Sequence, residues 1–375
     1  VTGAPVLVAG RRTPIGNAGH GFADLTVTDL AAPVLSAVLA EVRAGGIEDE
    51  VDDVVLGNCL GPGGDPARVA ALRAGLGTHI PGVTVDRQCG SGLDAVLQAA
   101  LRVRAGQDTL LLAGGVESAS TAPWRFWPPT GDADPVRYTR APFAPPEFPD
   151  PDMGVAADDL ARLRGIDRGR QDEYAARSHA LAAAADFSAE IVPIGSIARD
   201  QRIRAGMTVE RLARLRPSFG ADGTATAGNS CGISDGAAVL AVTTAERAAG
   251  MPALRVLGGA VAGSDPALPG LGPVEAIRKV LHRTGVGVAD LGVVEITEAF
   301  ASVVLAVADD LAIDPSRICP QGGAIAMGHP WGASGAILLV RLAHRMARAD
   351  GPELGLAACA IGGGQGIAMI VERVS

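Results

Sequence analysis

The sequence predicts an α/β protein built from two copies of one unit. Three observations predict it. Apolar strand-like runs alternate with helix-like runs from the N-terminal end onward, the pattern of a parallel sheet covered on both faces. The pattern then recurs: Gly46-Ile47 followed by Val54-Val55-Leu56 resembles Gly285-Val286 followed by Val293-Val294-Glu295-Ile296, and both pairs are 239 residues apart. The 375 residues are 48% hydrophobic but only 3% aromatic, with 50 glycines, so a large core must be packed from Ala, Val, Leu and Gly.

The elements follow in order. Residues 5–9 read as a buried strand and 25–44 as a helix that Thr28 or Asp29 can cap. A strand over 52–56, a helix over 66–74 and a strand over 83–85 lead to the turn Arg87-Gln88-Cys89-Gly90-Ser91-Gly92. Leu93, Val96, Leu97, Ala100 and Leu101 stand at helical spacing, so a helix over 93–103 opens at this turn. A fully apolar strand over 109–113 closes the unit. Residues 121–151 are rich in proline with little periodicity, the texture of a long functional loop. Helices over 153–164, 170–185 and 208–215 follow, the second with Tyr174, Arg177 and His179 on its polar side, and then a strand over 235–242. The last third repeats the first, with an apolar helix over 336–347, a strand at 356–360 and the glycine run Gly362-Gly363-Gly364.

Bulk properties exclude several function classes. The net charge is −9 with pI about 5.2 and no long basic stretch, so nucleic-acid binding has no electrostatic footprint. Five widely spaced cysteines, with no C-x-x-C pair, suggest neither a disulfide scaffold nor a zinc site. No apolar run is long enough to span a bilayer and no signal pattern opens the chain. A reduced, cytoplasmic setting without membrane or metal is the expectation.

Cys89 is the organising residue. Glycines on both sides let the backbone turn tightly, and a thiol at a helix N-terminus is biased towards thiolate by the helix dipole. A single cysteine in such a turn is more often a packed thiol than a nucleophile. The duplication changes that reading. Adding 239 to Cys89 lands on Gly328, beside His329, so Cys89 and His329 stand at equivalent helix starts facing each other across a pseudo-twofold axis. A Cys–His pair is the minimal set for covalent catalysis.

These residues resemble the thiolase family over nearly the whole chain. The resemblance is carried by Arg87-Gln88-Cys89-Gly90-Ser91-Gly92, Asn229-Ser230-Cys231-Gly232, Glu298-Ala299-Phe300-Ala301, Gly322-Gly323-Ala324-Ile325-Ala326-Met327-Gly328-His329-Pro330 and Gly362-Gly363-Gly364-Gln365-Gly366. It implies two α/β halves in a five-layered α-β-α-β-α core with an inserted loop domain. The N-terminal half would be 1–118 completed by 234–252, the insertion 119–233 and the C-terminal half 253–375. It implies a homodimer or homotetramer that takes acyl-CoA as substrate and needs no further cofactor. Cys89 would accept the acyl group, His329 would activate it, and the amides of Cys89 and Gly362 would form an oxyanion hole. Arg204 would meet the coenzyme A phosphates and Phe219 the adenine. Ala227 and Cys231 would lie along the pantetheine path, and Met153 and Phe300 in the tunnel wall.

Two departures fall on one half-reaction. Counting back from Gly362, the family's second catalytic cysteine corresponds to Ala360, and Cys359 is one residue earlier. In a strand, neighbouring side chains point to opposite faces, so Cys359 is expected to point away from the site unless a bulge intervenes. Thr297 stands where the family usually has asparagine. Self-acylation needs only the retained groups, whereas enolate formation needs the two that changed. The expectation is therefore an acyltransferase that loads Cys89 and has a non-standard second step, in specialised metabolism. An ordinary acetyl-CoA C-acetyltransferase or 3-ketoacyl-CoA thiolase, and a non-catalytic thiolase-like subunit, remain as alternatives.

Overall fold

The computed structural model describes residues 3–374; residues 1, 2 and 375, at the ends of the two expected halves, lie outside the described residues. The first half runs β1 (Pro5–Arg12), the two-residue β2 (Gly16–Asn17), α1 (Val27–Ala44), β3 (Asp53–Gly57), α2 (Pro66–Arg73), β4 (Gly82–Val85), α3 (Ser91–Ala105) and β5 (Leu110–Glu117). A long excursion follows. It holds the hairpin β6 (Arg125–Trp127) and β7 (Val136–Tyr138), then α4 (Met153–Arg164), α5 (Arg168–Ala184) and the single turn α6 (Val209–Leu212). The chain returns to the sheet as β8 (Ser234–Thr244). The second half runs β9 (Ala253–Gly263), α7 (Gly272–Thr284), β10 (Val293–Ile296), α8 (Ala301–Leu311), α9 (Ala324–Met327), α10 (Trp331–Met346), β11 (Leu354–Ile361) and β12 (Gln365–Val374).

Strand order shows the duplication. One sheet reads β4-β3-β5-β8-β1, the other β10-β11-β12-β9, and Ile318 bridges to Val294 on β10 where β4 lies in the first half. The halves join where Val6 and Leu7 of β1 meet Arg255 and Leu254 of β9. The expected all-parallel sheet is corrected. Only β3–β4, β3–β5 and β10–β11 are parallel, while β8 and β12 run antiparallel to their neighbours. The physical reason is plain at β12: the three-residue glycine turn that joins it to β11 is far too short for a crossover, so only an antiparallel pairing can follow.

Five layers result. α1 and α2 cover the outer face of the first sheet, α3 and α10 lie between the sheets, and α7 and α8 cover the outer face of the second. Three apolar cores fill the spaces between the layers, one around α1, a central one around α3 and α10 that reaches strands of both halves, and one around α7 and α8. No helix among the described residues is long and apolar enough to cross a membrane.

Local expectations are adjusted in three places. Thr26, not Thr28 or Asp29, caps α1, and the Asp29 side chain instead closes a capping box by accepting from the Thr26 amide at 2.9 Å. The helix expected over 208–215 is only the turn Val209–Leu212. Tyr174 and His179 are not on a solvated face. Both are buried, because α5 is held between α8, α9 and the excursion.

The excursion is tied down by buried charge. Arg12 on β1 pairs with Glu190 and Asp200, each at 2.7 Å, with all three side chains out of water. Its guanidinium also lies 5.4 Å from the Phe187 ring centroid, whose other neighbour is Arg341 at 5.2 Å. One aromatic ring from the excursion thus joins β1 to α10.

Candidate active site

α3 and α10 meet at their first turns. A Cβ on Gly92 would lie 2.7 Å from the Gly332 carbonyl, and one on Gly335 would lie 2.5 Å from the Leu93 amide. Only glycine allows backbones so close. Cys89 and His329 each precede this crossing by three residues, so the crossing carries both to the same end of the helix pair. Glu117 locks the arrangement. Its buried carboxylate accepts from the Cys59 and Gly332 amides on one oxygen (3.1 and 3.0 Å), and from Leu60 and the Asn58 side chain on the other (3.1 and 2.9 Å).

The Cys89 turn is built by its neighbours. Gln88 takes a left-handed conformation with φ of 47°. The Ser91 hydroxyl donates to the Gln88 carbonyl at 2.6 Å and accepts from the Arg87 amide at 2.8 Å. Arg87 pairs with Asp94 at 3.1 Å. The expected thiolate bias is corrected. Burial, followed by the neighbouring Cys359 and Cys231 thiols, pushes the Cys89 thiol well above the ordinary thiol range. A helix terminus contributes roughly 0.3–1 kcal/mol, less than one pKa unit, and full burial moves such groups by several. Cys89 therefore rests as a thiol, and nucleophilic attack by it would need a base.

His329 has the form of that base. Its Nδ1 lies 2.6 Å from Ser334 Oγ, and the Ser334 hydroxyl donates to the Pro330 carbonyl at 3.1 Å. With the Ser334 proton directed to Pro330, the serine oxygen is free to accept from His329 Nδ1–H, and that tautomer is the one assigned to the ring. Nε2 is then a bare lone pair. It is buried and has no hydrogen-bond partner among the described residues. Burial lowers the His329 pKa to about 4, so the ring is neutral near pH 7. The backbone is pinned as well, with the His329 amide donating to Gly232 O at 3.0 Å and to Ser234 Oγ at 3.2 Å.

The predicted site residues converge around this pair. The Gly232 strand segment carries Cys231, whose amide donates to Ala299 O at 2.9 Å, and Ser230 bridges to Phe300. Phe300 meets Phe219 edge-to-face at 5.7 Å, and Phe219 lies over Gly154, next to Met153. A Cβ on Gly90 would touch Ile361, so the Cys89 turn packs against the end of β11 beside Gly362. Phe143 from the excursion covers Gly362 in turn. Arg204 and Ala227 line a cavity of about 180 Å³ with His179, Arg202, Met207, Leu215 and Gly228. Arg202 spends its guanidinium on the carbonyls of Ala227, Ser230 and Ile325. Arg204 is exposed and has no ion pair among the described residues, which leaves it available to an anion.

The cysteine near the glycine run needs a correction. β11 pairs with β12 from Leu354↔Glu372 to Ile361↔Gln365 without a register shift. No bulge occurs, and Cys359 and Ala360 point to opposite faces as alternation requires. Yet Cys359 does not turn away from the site. Its face of the sheet is the one towards α3 and α10, and it carries Thr297 as well. Cys359 Sγ lies 3.2 Å from Thr297 Oγ1, and after burial it is the neighbouring group that raises Cys89 most. Burial pushes Cys359 itself up to about 12. Ala360 belongs to the outer core with Phe300.

Sequence reasoning missed Ser334, Glu117 and Phe143. Ser334 had a signal in its spacing, five residues after His329 and within the first turn of α10. The other two act through contacts across the fold that no local pattern carries.

Comparisons with known proteins decide the family. Residues 5–246 match the model of the thiolase N-terminal domain and residues 251–373 that of the thiolase C-terminal domain. The chain belongs to the thiolase family. It is 41% identical over 396 residues to the acetyl-CoA acetyltransferase of Escherichia coli, covering 99% of each chain. The crystal structure of the Bacillus anthracis acetyl-CoA acetyltransferase superposes with a TM-score of 0.91 at 36% identity, covering 100% of this chain and 99% of that one. Membership makes this thiolase-family chain an acyltransferase enzyme, and its five layers are the fold that the resemblance implied.

Proposed function

We propose that this protein is an acyl-CoA acyltransferase that forms an acyl-enzyme on Cys89 and completes turnover by a non-standard second half-reaction. The observation that carries the first part is the orphaned His329 Nε2, a buried lone pair held by Ser334 at the same helix crossing as a protonated Cys89. In the first step Nε2 takes the Cys89 proton as sulfur attacks the thioester carbonyl. The resulting Nε2–H then faces the developing oxyanion, with the Cys89 and Gly362 amides as further donors. Collapse expels the coenzyme A thiolate, which takes the proton from His329. Arg204 meets the phosphates at the nucleotide end of the substrate, Phe219 packs on its adenine, and Ala227, Cys231, Met153 and Phe300 line the path to Cys89. Coenzyme A enters as substrate, and the scheme uses no metal or redox cofactor.

The second part rests on Ala360, a side chain with no proton to exchange where the family keeps its acid/base cysteine. The acceptor would be a nucleophile needing no strong base, a decarboxylating donor or an already acidic carbon acid, as in specialised metabolism. A second reading, an ordinary acetyl-CoA C-acetyltransferase, is favoured by one observation: Cys359 sits against Thr297 and beside Cys89. Acylation is tested by intact mass after incubation with acetyl-CoA; acylation surviving in Cys89→Ala would sink the loading model. Thiolysis of acetoacetyl-CoA separates the two readings. The non-standard reading expects it to be slow and unchanged in Cys359→Ala. Fast thiolysis abolished by Cys359→Ala would establish the ordinary one. The exposed Trp124, Phe126, Trp127, Val136 and Phe148, in a chain otherwise poor in aromatics, support a homodimer or homotetramer. The five free thiols fit a reduced cytoplasmic setting.

A further inference from the structure

A buried carboxylate grips the loop that carries His329, yet it is bonded to none of the candidate reacting groups. Glu298 is fully buried. One of its oxygens accepts from the Tyr174 hydroxyl at 2.8 Å. The other accepts from the Ser178 hydroxyl at 2.7 Å and from the Ile325 amide at 3.1 Å. Ser178 Oγ uses a lone pair to accept from the Gly323 amide at 3.1 Å. Arg341 closes the grip from the other side, donating to Gly322 O at 2.6 Å.

The gripped segment is the single helical turn α9 set between glycines. It reads Gly322-Gly323-Ala324-Ile325-Ala326-Met327-Gly328 and ends at His329. Gly322 and Gly328 have φ of +74° and +115°, conformations that only glycine holds without strain. A Cβ on Gly323 would collide with the Glu298 carboxylate, so loop and acid are fitted to each other. Two anchors therefore set where the His329 ring sits. Ser334 and Gly232 hold the residue itself, and Glu298 with Ser178 holds the loop before it.

We propose that Glu298, with Tyr174 and Ser178, is a positioning residue for acylation of Cys89, fixing the 322–328 loop and through it the place of the His329 Nε2 lone pair. The inference rests on the reading of Cys89 and His329 as the acylating pair.

The test uses the full chain with acetyl-CoA and reads single-turnover acylation of Cys89, KM, its pH profile and thermal stability together. Glu298→Ala should slow acylation by about a hundredfold, the scale of a misplacement of about 1 Å, with KM within about twofold because no substrate contact is lost. Its acid limb should move up from the wild-type position, since a loosened loop lets water reach the ring. Glu298→Gln keeps an acceptor for the Ile325 amide and should recover most of the rate. A lower melting temperature with unchanged rate and unchanged acid limb would reduce Glu298 to a structural part and overturn the proposal. Should Glu298→Ala fail to fold, Ser178→Ala decides. It removes one donor to the acid and the acceptor for Gly323, and an unchanged acylation rate would refute positioning. Absence of Cys89 acylation in the wild type would instead overturn the parent reading, so the two failures are distinct.

Discussion

Ser334→Ala tests the acylation chemistry at its most exposed assumption, the tautomer of His329. The 2.6 Å contact to Nδ1 is the only side-chain hydrogen bond of the ring among the described residues, and it is out of water. Removing it has two consequences. In the resting enzyme Nδ1–H loses its acceptor, which costs about 1–3 kcal/mol of stability for a buried polar group. In the transition state the ring becomes imidazolium, and the lost bond is then a charge-assisted one, worth about 1.5–3 kcal/mol. Only the part that exceeds the ground-state loss slows the reaction, and a share of the molecules will also hold the proton on Nε2, where it blocks attack. The combined expectation is a decrease of about 10- to 100-fold in the acylation rate, with KM for acetyl-CoA little changed. Rapid-quench mass spectrometry of the acyl-enzyme measures it directly. Acylation at the wild-type rate in a folded Ser334→Ala protein would show that Ser334 does not set the base, and the proton bookkeeping at His329 would have to be abandoned.

The remaining predictions concern pH, the anion site and the buried ion pairs. His329 and His179 are both held near a pKa of about 4, His329 by burial and His179 by burial and then the adjacent Arg202 and Arg204. The acylation rate should therefore keep its plateau through pH 6.5 and fall only towards pH 4; an inflection near 6.5 would contradict a buried neutral His329. The same depression makes the unfolded chain bind more protons than the folded one between pH 6.5 and 4, so stability is fully present above 6.5 and is lost as pH falls through that window. At 1.36 kcal/mol per pKa unit each histidine contributes about 3 kcal/mol, and urea unfolding at pH 7 and pH 4.5 reads the loss; equal stability at both would count against it. Arg204→Glu should raise KM for acetyl-CoA about tenfold or more, yet leave S-acetylpantetheine, which lacks the nucleotide phosphates, nearly unaffected; equal effects on both would remove Arg204 from the phosphate site. Arg12→Met should cost about 3–5 kcal/mol in urea unfolding, because Glu190 and Asp200 are left buried without their cation, and a cost under about 1 kcal/mol would mean that the excursion is anchored elsewhere.

Much of the fold was legible because the duplication repeats local signals. The 239-residue offset pointed to equivalent helix starts at Cys89 and His329, and the glycines at 92, 332 and 335 then let those helices meet. Other elements left no periodic trace. α8 reads Ala301-Ser302-Val303-Val304-Leu305-Ala306-Val307-Ala308 and is buried almost all round, so no amphipathic stripe marks it as a helix. Tyr174 and His179 have polar tips, and the polar side of α5 looked solvated. Its polarity instead answers buried partners, Glu298 for Tyr174 and the basic cavity for His179. The direction of the Cys89 shift was also out of reach. A helix start is visible in sequence, while the burial that outweighs its dipole, and the neighbours Cys359, Cys231 and Glu117 that add to it, are set by distant stretches of chain.

The position of Cys359 shows that a correct local rule does not by itself say which face carries the site. Alternation along β11 holds, so Cys359 and Ala360 do face opposite ways. The missing piece was which face carries the site. Strand β10 lies parallel to β11 and places Glu295 and Thr297 on the face shared with Ala357 and Cys359, the face turned to the central helices. Thr297, chosen as a weakened enolate-stabilising group, and Cys359, dismissed as misdirected, thus become one hydrogen-bonded pair. A buried thiol near a pKa of about 12 is a poor resting base, but a hydroxyl beside it gives any thiolate formed during turnover a donor. The chemistry of the second half-reaction therefore turns on whether a substrate reaches Thr297, and Thr297→Val is the variant that separates the possibilities. It should leave acylation of Cys89 intact. Loss of thiolysis with retained acylation would place Thr297 and Cys359 in the second step, and retention of both would mean that Thr297 takes no part in it.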